Sequence, residues 1–527
     1  MSIVEGSSGL GAVERPAPAP FRLRGNLAAS DYDLPRGKGA ASIPFTGGDP
    51  TDQHYARPAQ AAFVTKAQLL HAESVQYGRG KVFLGRVDQK MIGIADGRHI
   101  VTLAGSGGGK SVCSLIPNLM LYDGSCLVLD PKGELAAATA HRRDDMGQAV
   151  YVLDPFDISG EETRQFRASF DPLGELGEDR GNLIENADLV ADALIIPADK
   201  DQHWTDAARG LVRALVLWMV LDPDNSGGSL AGLPKMITRI AAECREGRDD
   251  PRAGLIDTLA AIDPRDVPDR DREAWAVIQS QAEMMQGMSG KERASVISTA
   301  RTQLIFLDSP AMARAVARSA LVLAELKRRP CTVYLCLPAS RMGTHSRWLR
   351  LIVNLAIAAL ERERAAPELP VMFVLEEFAA LGHMRSLENA VAYMRGFGVK
   401  LWTVLQDITQ LRRDYPKSWE TFLGNAGVLQ AFSVNDLATQ KYLSERLGET
   451  TLEITNKQDV SIGQHMSGDA GLRREFRNAK LLYPEEIGLY FAHMVAPDGS
   501  ARGGPSLVLW SGKAPMMVER VHYGELG

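Results

Sequence analysis

Apolar residues along this chain form short continuous runs that alternate with longer stretches of helical periodicity. Short apolar runs bounded by turn residues are typical of strands that are buried on both faces of a sheet. They predict strands at residues 82–86, 91–94, 100–103, 126–130, 149–154, 331–337, 371–375, 399–405, 428–432 and 506–510. Because most of these strands alternate with predicted helices, the pattern indicates an α/β fold with a mostly parallel sheet.

The pattern changes between residues 171 and 325, where helical stripes follow one another without a strand. Predicted helices cover residues 182–194, 204–221, 230–242, 272–288, 293–307 and 311–326. A block of this length is large enough to be a domain. We therefore expect an all-α domain at residues 171–325, inserted into an α/β domain that consists of residues 61–170 and 326–527.

Two segments lack a sustained pattern. Residues 1–60 are rich in Gly, Pro, Ala and Ser, which predicts a disordered N-terminal arm. Residues 451–480 are polar and poorly periodic, and we expect a loop there.

A glycine-rich segment follows the strand at residues 100–103 and precedes a predicted helix at residues 112–121. It reads Ala104-Gly105-Ser106-Gly107-Gly108-Gly109-Lys110-Ser111. Strand, glycine-rich loop and helix, in this order, predict a phosphate-binding loop, although its first position is Ala instead of Gly. The glycines let backbone N–H groups turn towards an anion, Lys110 can reach the β- and γ-phosphates, and Ser111 can hold Mg²⁺. A flexible linker is the alternative, but linkers do not usually lie between two apolar runs.

Acidic residues follow two of the other predicted strands. Asp130 ends the strand at residues 126–130, and Glu376 and Glu377 follow the strand at residues 371–375. In a parallel sheet these positions face the same edge as the phosphate loop, although a surface turn would also account for Asp130. The strand with two acids has the pattern of a Walker B motif, in which the first acid organises Mg²⁺ and the second activates water. The first acid is usually Asp, and the longer Glu376 is expected to weaken magnesium coordination.

Two further polar residues are candidates for the same reaction. Gln406 follows the strand at residues 399–405, where a sensor of the γ-phosphate or of the catalytic water is expected. Arg395 lies between this strand and Glu377, and it is our candidate for an arginine finger donated to a neighbouring subunit. Arg385 and Arg412 are the alternatives for that role.

Composition restricts the possible functions less than these motifs do. The chain has 59 Lys and Arg against 65 Asp and Glu, so nucleic-acid binding would require a local basic surface. Its five cysteines show neither metal-binding nor disulfide spacing, which points to a reducing compartment. We expect a cytoplasmic protein that reaches the inner membrane only through a partner, because no signal peptide or membrane span is apparent.

Several motifs together resemble one protein family. AGSGGGKS, LVLDPKGE, FVLEEFAALG, VLQDITQL followed by FLGNAG, and NAKLLYPEEI occur in this order around the helical block. Over roughly residues 80–525 they resemble the TraG/TraD-type coupling proteins of type IV secretion and conjugation. The resemblance implies a RecA-like P-loop ATPase that assembles as a hexamer around a central channel, uses ATP and Mg²⁺, and carries an arginine finger and a glutamine at Arg395 and Gln406.

The same resemblance implies a function and its partners. Such a motor delivers single- or double-stranded DNA, or protein substrates, to a secretion channel. Its expected partners are a relaxase or relaxosome, the channel ATPases and inner-membrane components. A cytosolic DNA pump of the FtsK/HerA type is one alternative, although the helical block between the Walker motifs favours the coupling type. A non-catalytic, nucleotide-binding adaptor that gathers effector proteins is the other, suggested by Glu376 and the acidic balance.

Overall fold

The computed structural model describes residues 60–197, 202–222, 228–246, 254–263, 265, 267–457, 472–492, 494–495 and 501–526. Residues 1–59 of the predicted N-terminal arm lie outside this part of the chain. The strands are β1 (Val82–Val87), β2 (Lys90–Ile94), β3 (His99–Ala104), β4 (Cys126–Asp130), β5 (Ala149–Leu153), β6 (Cys331–Cys336), β7 (Val371–Leu375), β8 (Val399–Leu405), β9 (Ala426–Phe432), β10 (Glu449–Lys457), β11 (Leu472–Lys480), β12 (Met494–Val495), β13 (Ala501–Arg502), β14 (Pro505–Trp510) and β15 (Met516–Glu519).

A sheet of 11 strands forms the centre of the fold, in the order β2-β1-β15-β14-β9-β3-β8-β7-β4-β6-β5. The strands from β9 to β5 in this order run parallel, and the other four join them in antiparallel pairs at one end. The prediction of a mostly parallel sheet is therefore confirmed. Because parallel strands point the same way, the residues that follow β3, β4, β7, β8 and β9 all lie at one edge of the sheet.

The apolar runs form strands because helices cover both faces of the parallel part of the sheet. In β4, Leu127 and Leu129 pack in the hydrophobic cluster on one face, while Cys126 and Val128 pack in the cluster on the other. A strand buried on both faces contains apolar residues throughout instead of alternating with polar ones. This explains why continuous apolar runs were sufficient to locate the strands of the parallel part of the sheet.

The helices are α1 (Lys66–His71), α2 (Ile116–Leu121), α3 (Glu134–Asp145), α4 (Pro172–Glu178), α5 (Leu183–Leu194), α6 (Gln202–Leu221), α7 (Leu233–Glu246), α8 (Leu255–Ala261), α9 (Arg272–Gly287), α10 (Gly290–Leu304), α11 (Pro310–Ala315), α12 (Glu325–Arg328), α13 (Met342–Arg362), α14 (Arg385–Ala390), α15 (Ile408–Asp414), α16 (Trp419–Gly424), α17 (Leu437–Leu447) and α18 (Pro484–Tyr490). Helices α4 to α12 lie between β5 and β6 in the chain. The described part of residues 171–325 contains no strand. The division of the chain into domains at these residues stays a prediction.

Two predictions of local structure are wrong. The predicted loop at residues 451–480 includes most of β10 and all of β11, which pair from Glu449 with Lys480 to Lys457 with Leu472. These strands form a sheet of their own, and their sequences are polar, so no apolar pattern marks them. Residues 458–471 lie outside the described chain.

The predicted helix at residues 311–326 is divided into α11 and α12. The Ala315 carbonyl accepts a hydrogen bond from the Phe170 N–H at 2.9 Å, and the Ala320 N–H donates to the Ser169 carbonyl at 3.0 Å. Tertiary hydrogen bonds thus replace helical ones in this segment.

Leu129→Ala should lower the free energy of unfolding by about 2–5 kcal/mol, because the substitution leaves a cavity in the buried centre of the sheet. Leu489→Ala is the matched control, since Leu489 is 74% exposed and Leu129 is fully buried. Urea denaturation of both variants measures the difference. Equal stability of the two variants would contradict the burial of β4.

Candidate nucleotide-binding site

The glycine-rich segment connects the end of β3 to the helical residues 111–121, as predicted. Ala104 is the last residue of β3 and is fully buried, while Ser106 is exposed in the loop. Gly107 and Gly109 have φ angles of +72° and +82°, a conformation that side chains other than glycine rarely adopt. These two glycines allow the backbone to turn within the loop.

Gly105 and Gly108 are required for a different reason, which is the close approach of Ser433 at the end of β9. A Cβ atom at Gly105 would lie 2.4 Å from the Ser433 carbonyl oxygen, and one at Gly108 would lie 2.7 Å from the Ser433 Cβ. Both distances are too short for nonbonded atoms. From the sequence we expect all four loop glycines to let the backbone turn. In the structure Gly107 and Gly109 have this role, whereas Gly105 and Gly108 leave room for Ser433.

The helix after the loop begins with a π-helical turn, Ser111–Leu115, in which the Ile116 N–H donates to the Ser111 carbonyl. Pro117 has no N–H with which to bond the Cys113 carbonyl, which favours the wider turn. Lys110 immediately precedes this turn and is half-buried. The lysine and the N-terminal end of the helical segment are thus adjacent, an arrangement that can stabilise an anion.

Glu376 meets the phosphate loop directly. The Ser111 hydroxyl donates to Glu376 Oε1 at 2.7 Å, and the Glu376 side chain is buried. Burial raises the pKa of Glu376, while the hydrogen bond from Ser111 and the positive charge of Lys110 oppose that rise. The carboxylate that replaces the usual Asp therefore reaches the serine hydroxyl.

Asp130 lies beside Glu376, because β4 and β7 are neighbours in the sheet. Its Oδ2 accepts a hydrogen bond from the Ala136 N–H at 2.8 Å, and among the described residues Oδ1 has no hydrogen-bond partner. Burial, together with the charge of Glu376, raises the pKa of Asp130 to about 7, against the effect of the hydrogen bond from the Ala136 N–H and of the nearby N–H groups of Lys132 and Gly133. An unpartnered buried carboxylate oxygen is costly unless it serves a ligand or a neighbouring group.

Glu377 and Gln406 form a second pair at this edge. Glu377 has φ 56° and ψ 50°, a strained conformation for a residue other than glycine. The Gln406 amide donates to both carboxylate oxygens of Glu377, at 3.2 and 3.3 Å. Since β8 lies between β3 and β7, Gln406 follows the strand that separates the phosphate loop from the two acids.

The structure does not bring Arg395 to these residues. Arg395 is exposed in a 3₁₀ helix, Met394–Phe397, that precedes β8, whereas Gln406 follows it. The seven residues of β8 span about 23 Å. Arg395 therefore lies at the opposite edge of the sheet from the phosphate loop. Of the alternatives, Arg412 packs over the Trp419 ring, 4.2 Å from its centre, and Arg385 begins α14.

Two residues that contact the phosphate loop are not predicted by the sequence pattern. Ser433 follows β9, so the rule that identified Asp130 would also have found it. Arg520 donates to the Gly108 carbonyl and follows β15, which is antiparallel to its neighbours. No sequence motif marks Arg520.

The donor set fits a nucleotide with Mg²⁺. Magnesium is commonly held by a hydroxyl, one or two carboxylates and the phosphates themselves. Ser111 and Glu376 provide the two protein groups, and in the part of the chain that the structure describes no three His, Cys, Asp or Glu residues form a metal cluster.

Among the described residues, no helix has the length and apolar character needed to cross a membrane.

The chain matches one protein family over most of its length. Residues 57–525 match the family described as "Type IV secretory system Conjugative DNA transfer". The chain is 26% identical over 428 residues to the conjugal transfer protein TraG of Escherichia coli, covering 77% of this chain and 63% of that protein. It is 24% identical over 435 residues to the protein VirD4 of Rhizobium rhizogenes, covering 81% of this chain and 58% of that protein. The chain thus spans less than two thirds of the length of these relatives.

Solved structures show the same fold. The conjugative coupling protein TrwBdeltaN70 aligns with a TM-score of 0.58 and 15% identity, over 90% of this chain and 95% of that one. TrwB in complex with the non-hydrolysable ATP analogue ADPNP aligns with a TM-score of 0.57 and 15% identity, over 90% and 96% of the two chains. The resemblance to coupling proteins is confirmed. Since the family match extends over most of its length, this chain belongs to the type IV secretory system conjugative DNA transfer family.

Proposed function

We propose that this chain is an ATP-dependent coupling protein that delivers DNA, nucleoprotein or protein substrates to a type IV secretion or conjugation channel. The observation that carries the proposal is the convergence of Lys110, the Ser111–Glu376 pair and the Glu377–Gln406 pair at one sheet edge. A lysine-bearing anion site next to two acids and a glutamine is what ATP hydrolysis requires. Membership of the family supplies the cargo class.

The site residues have distinct roles in this proposal. The loop from Ala104 to Gly109 and Lys110 bind the phosphates, and Ser111 and Glu376 hold Mg²⁺, which when bound neutralises phosphate charge. Glu377 accepts a proton from the attacking water, and Gln406 orients Glu377 and that water. Asp130, at the end of the neighbouring strand, contributes to binding the same nucleotide.

Arg395 completes the site of a neighbouring subunit. It is exposed and at the opposite edge of the sheet from its own phosphate loop, so it can act only on a nucleotide that is bound to another copy. In a closed ring each subunit presents one surface to one neighbour and a different surface to the other, which would let Arg395 of one copy meet the phosphate loop of the next. We infer a homo-hexamer with a central channel for DNA.

The partners follow from the same function. TrwB has been solved with ADP and Mg²⁺, and by analogy this chain would use ATP and Mg²⁺. The helices at residues 171–325 are proposed to form the all-α domain that contacts a relaxase, relaxosome or secreted protein. The motor would act in the cytoplasm, where ATP is available, beside the channel ATPases and inner-membrane components.

Lys110→Ala should weaken ATP binding at least about tenfold, because the phosphate charge loses a charged partner. Glu377→Gln should retain binding and lose turnover. Titration with a fluorescent ATP analogue and a phosphate-release assay measure the two effects, and Lys513→Ala, at an exposed lysine, is the control. If the wild type shows no turnover with or without DNA, the non-catalytic, nucleotide-binding adaptor is the function that remains.

Arg395→Ala should lower turnover about 10³-fold or more and leave ATP affinity unchanged. Mixing this variant with Lys110→Ala subunits should restore part of the activity, since the second variant supplies an intact arginine to the first variant's intact phosphate loop. Phosphate release by the mixture is the measurement. A mixture no more active than its parts would exclude Arg395 as the finger.

DNA affinity should fall as salt rises, with a linear dependence of log affinity on log salt concentration. The reason is that a channel that neutralises DNA phosphates releases counterions. Fluorescence anisotropy with labelled single- and double-stranded DNA measures the slope. An affinity that is independent of salt would argue against DNA as the cargo.

A further inference from the structure

Arg520 is a buried arginine directly behind the phosphate loop. Its side chain is 1% exposed, and it donates to the Gly108 carbonyl, to the Gly504 carbonyl at 3.2 Å and to the Ala492 carbonyl at 3.2 Å. The guanidinium carbon lies 4.3 Å from the centre of the Phe432 ring, at the end of β9. The guanidinium is therefore fixed from several sides, and one of its donors is committed to the loop.

The contact with Gly108 determines the direction of a neighbouring N–H. A trans peptide is planar, and its carbonyl and its N–H point in opposite directions. The Gly108 carbonyl and the Gly109 N–H belong to one such peptide. Because Arg520 binds this carbonyl, the Gly109 N–H is directed to the side of the loop that faces away from Arg520.

Ser433 supports the same loop from β9. It has φ +51°, an unusual conformation for serine, and is 6% exposed. Its N–H donates to the Phe491 carbonyl at 2.6 Å, and its carbonyl accepts from the Gly105 N–H at 3.1 Å. As its Cβ fills the space beside Gly108, Ser433 prevents the peptide that Arg520 holds from moving back towards β9.

We propose that Arg520 and Ser433 are positioning residues for nucleotide binding, which hold the Gly108–Gly109 peptide so that its N–H meets a phosphate shared by ATP and ADP. The inference rests on the proposed function, because it assigns the loop to a nucleotide. It differs from the roles of Glu377 and Gln406, which act on the γ-phosphate or on water. Loss of the positioning therefore weakens ADP and ATP equally.

The test compares two buried arginines in the full chain. Arg143 is fully buried and also donates to backbone carbonyls, those of Leu119, Tyr122 and Gly124, but it lies near the other edge of the sheet. Arg520→Lys should weaken ADP and a non-hydrolysable ATP analogue by the same factor, about tenfold, as expected for one charge-assisted hydrogen bond. Turnover of Arg520→Lys at saturating ATP should change by less than about twofold, because the loss of a contact made equally in the ground state and the transition state lowers affinity and not turnover. Arg143→Lys should bind both nucleotides like the wild type, even if its Tm falls as much as that of Arg520→Lys.

A second pair of variants tests the loop without altering either arginine. Gly108→Ala should weaken nucleotide binding, because the new Cβ would meet the Ser433 Cβ at 2.7 Å. Gly108→Ala combined with Ser433→Gly should regain part of the affinity. Any of three results overturns the inference. Arg520→Lys binds both nucleotides like the wild type, Arg143→Lys loses as much nucleotide affinity as Arg520→Lys, or the addition of Ser433→Gly to Gly108→Ala restores no affinity. If the wild type binds nucleotide and Lys110→Ala does not, these failures leave the proposed function standing.

Discussion

The hydrogen bond from Ser111 to Glu376 joins two parts of the chain that are 265 residues apart, and it depends on parallel strand pairing. β3 pairs with β8, and β8 pairs with β7, all in the same direction. The loop after β3 and the acids after β7 must then emerge at one edge, with Gln406 between them. Parallel strands also require crossover connections, and the helices of these connections cover both faces of the sheet. The chemistry at the edge and the burial of the strands thus have one origin.

That edge concentrates groups that are expensive to bury. Glu376 and Asp130 are carboxyl groups with raised pKa values, and Arg520 is a cation in the interior. Glu377 is held in a strained backbone conformation. Desolvation and strain of this kind persist only where the surrounding structure enforces them, and they are concentrated at functional sites. The apolar strands beneath provide that rigid support.

The sequence predicted the parts of the fold that are buried on both sides, because continuous apolar runs and a strand–loop–helix motif leave a clear pattern. It also predicted that Ser111, Glu376, Glu377 and Gln406 would share an edge. β10 and β11 were missed because polar strands in a separate two-stranded sheet have no apolar signature. Arg520 was missed because its contact with Gly108 arises from the antiparallel end of the sheet, where no rule relates strand ends to the site. The separate reasons for the loop glycines required knowledge of where Ser433 lies.

The placement of the helical block has an evolutionary consequence. Helices α4 to α12 leave the sheet after β5 and return at β6, and these two strands are adjacent at its end. A right-handed crossover between them needs only a dozen or so residues, so the additional helices are not required for pairing the strands. The block can therefore lengthen, shorten or change its surface while the register of the strands that carry the candidate site stays the same. Under the proposed function, the surface that meets the cargo can change without altering the nucleotide site.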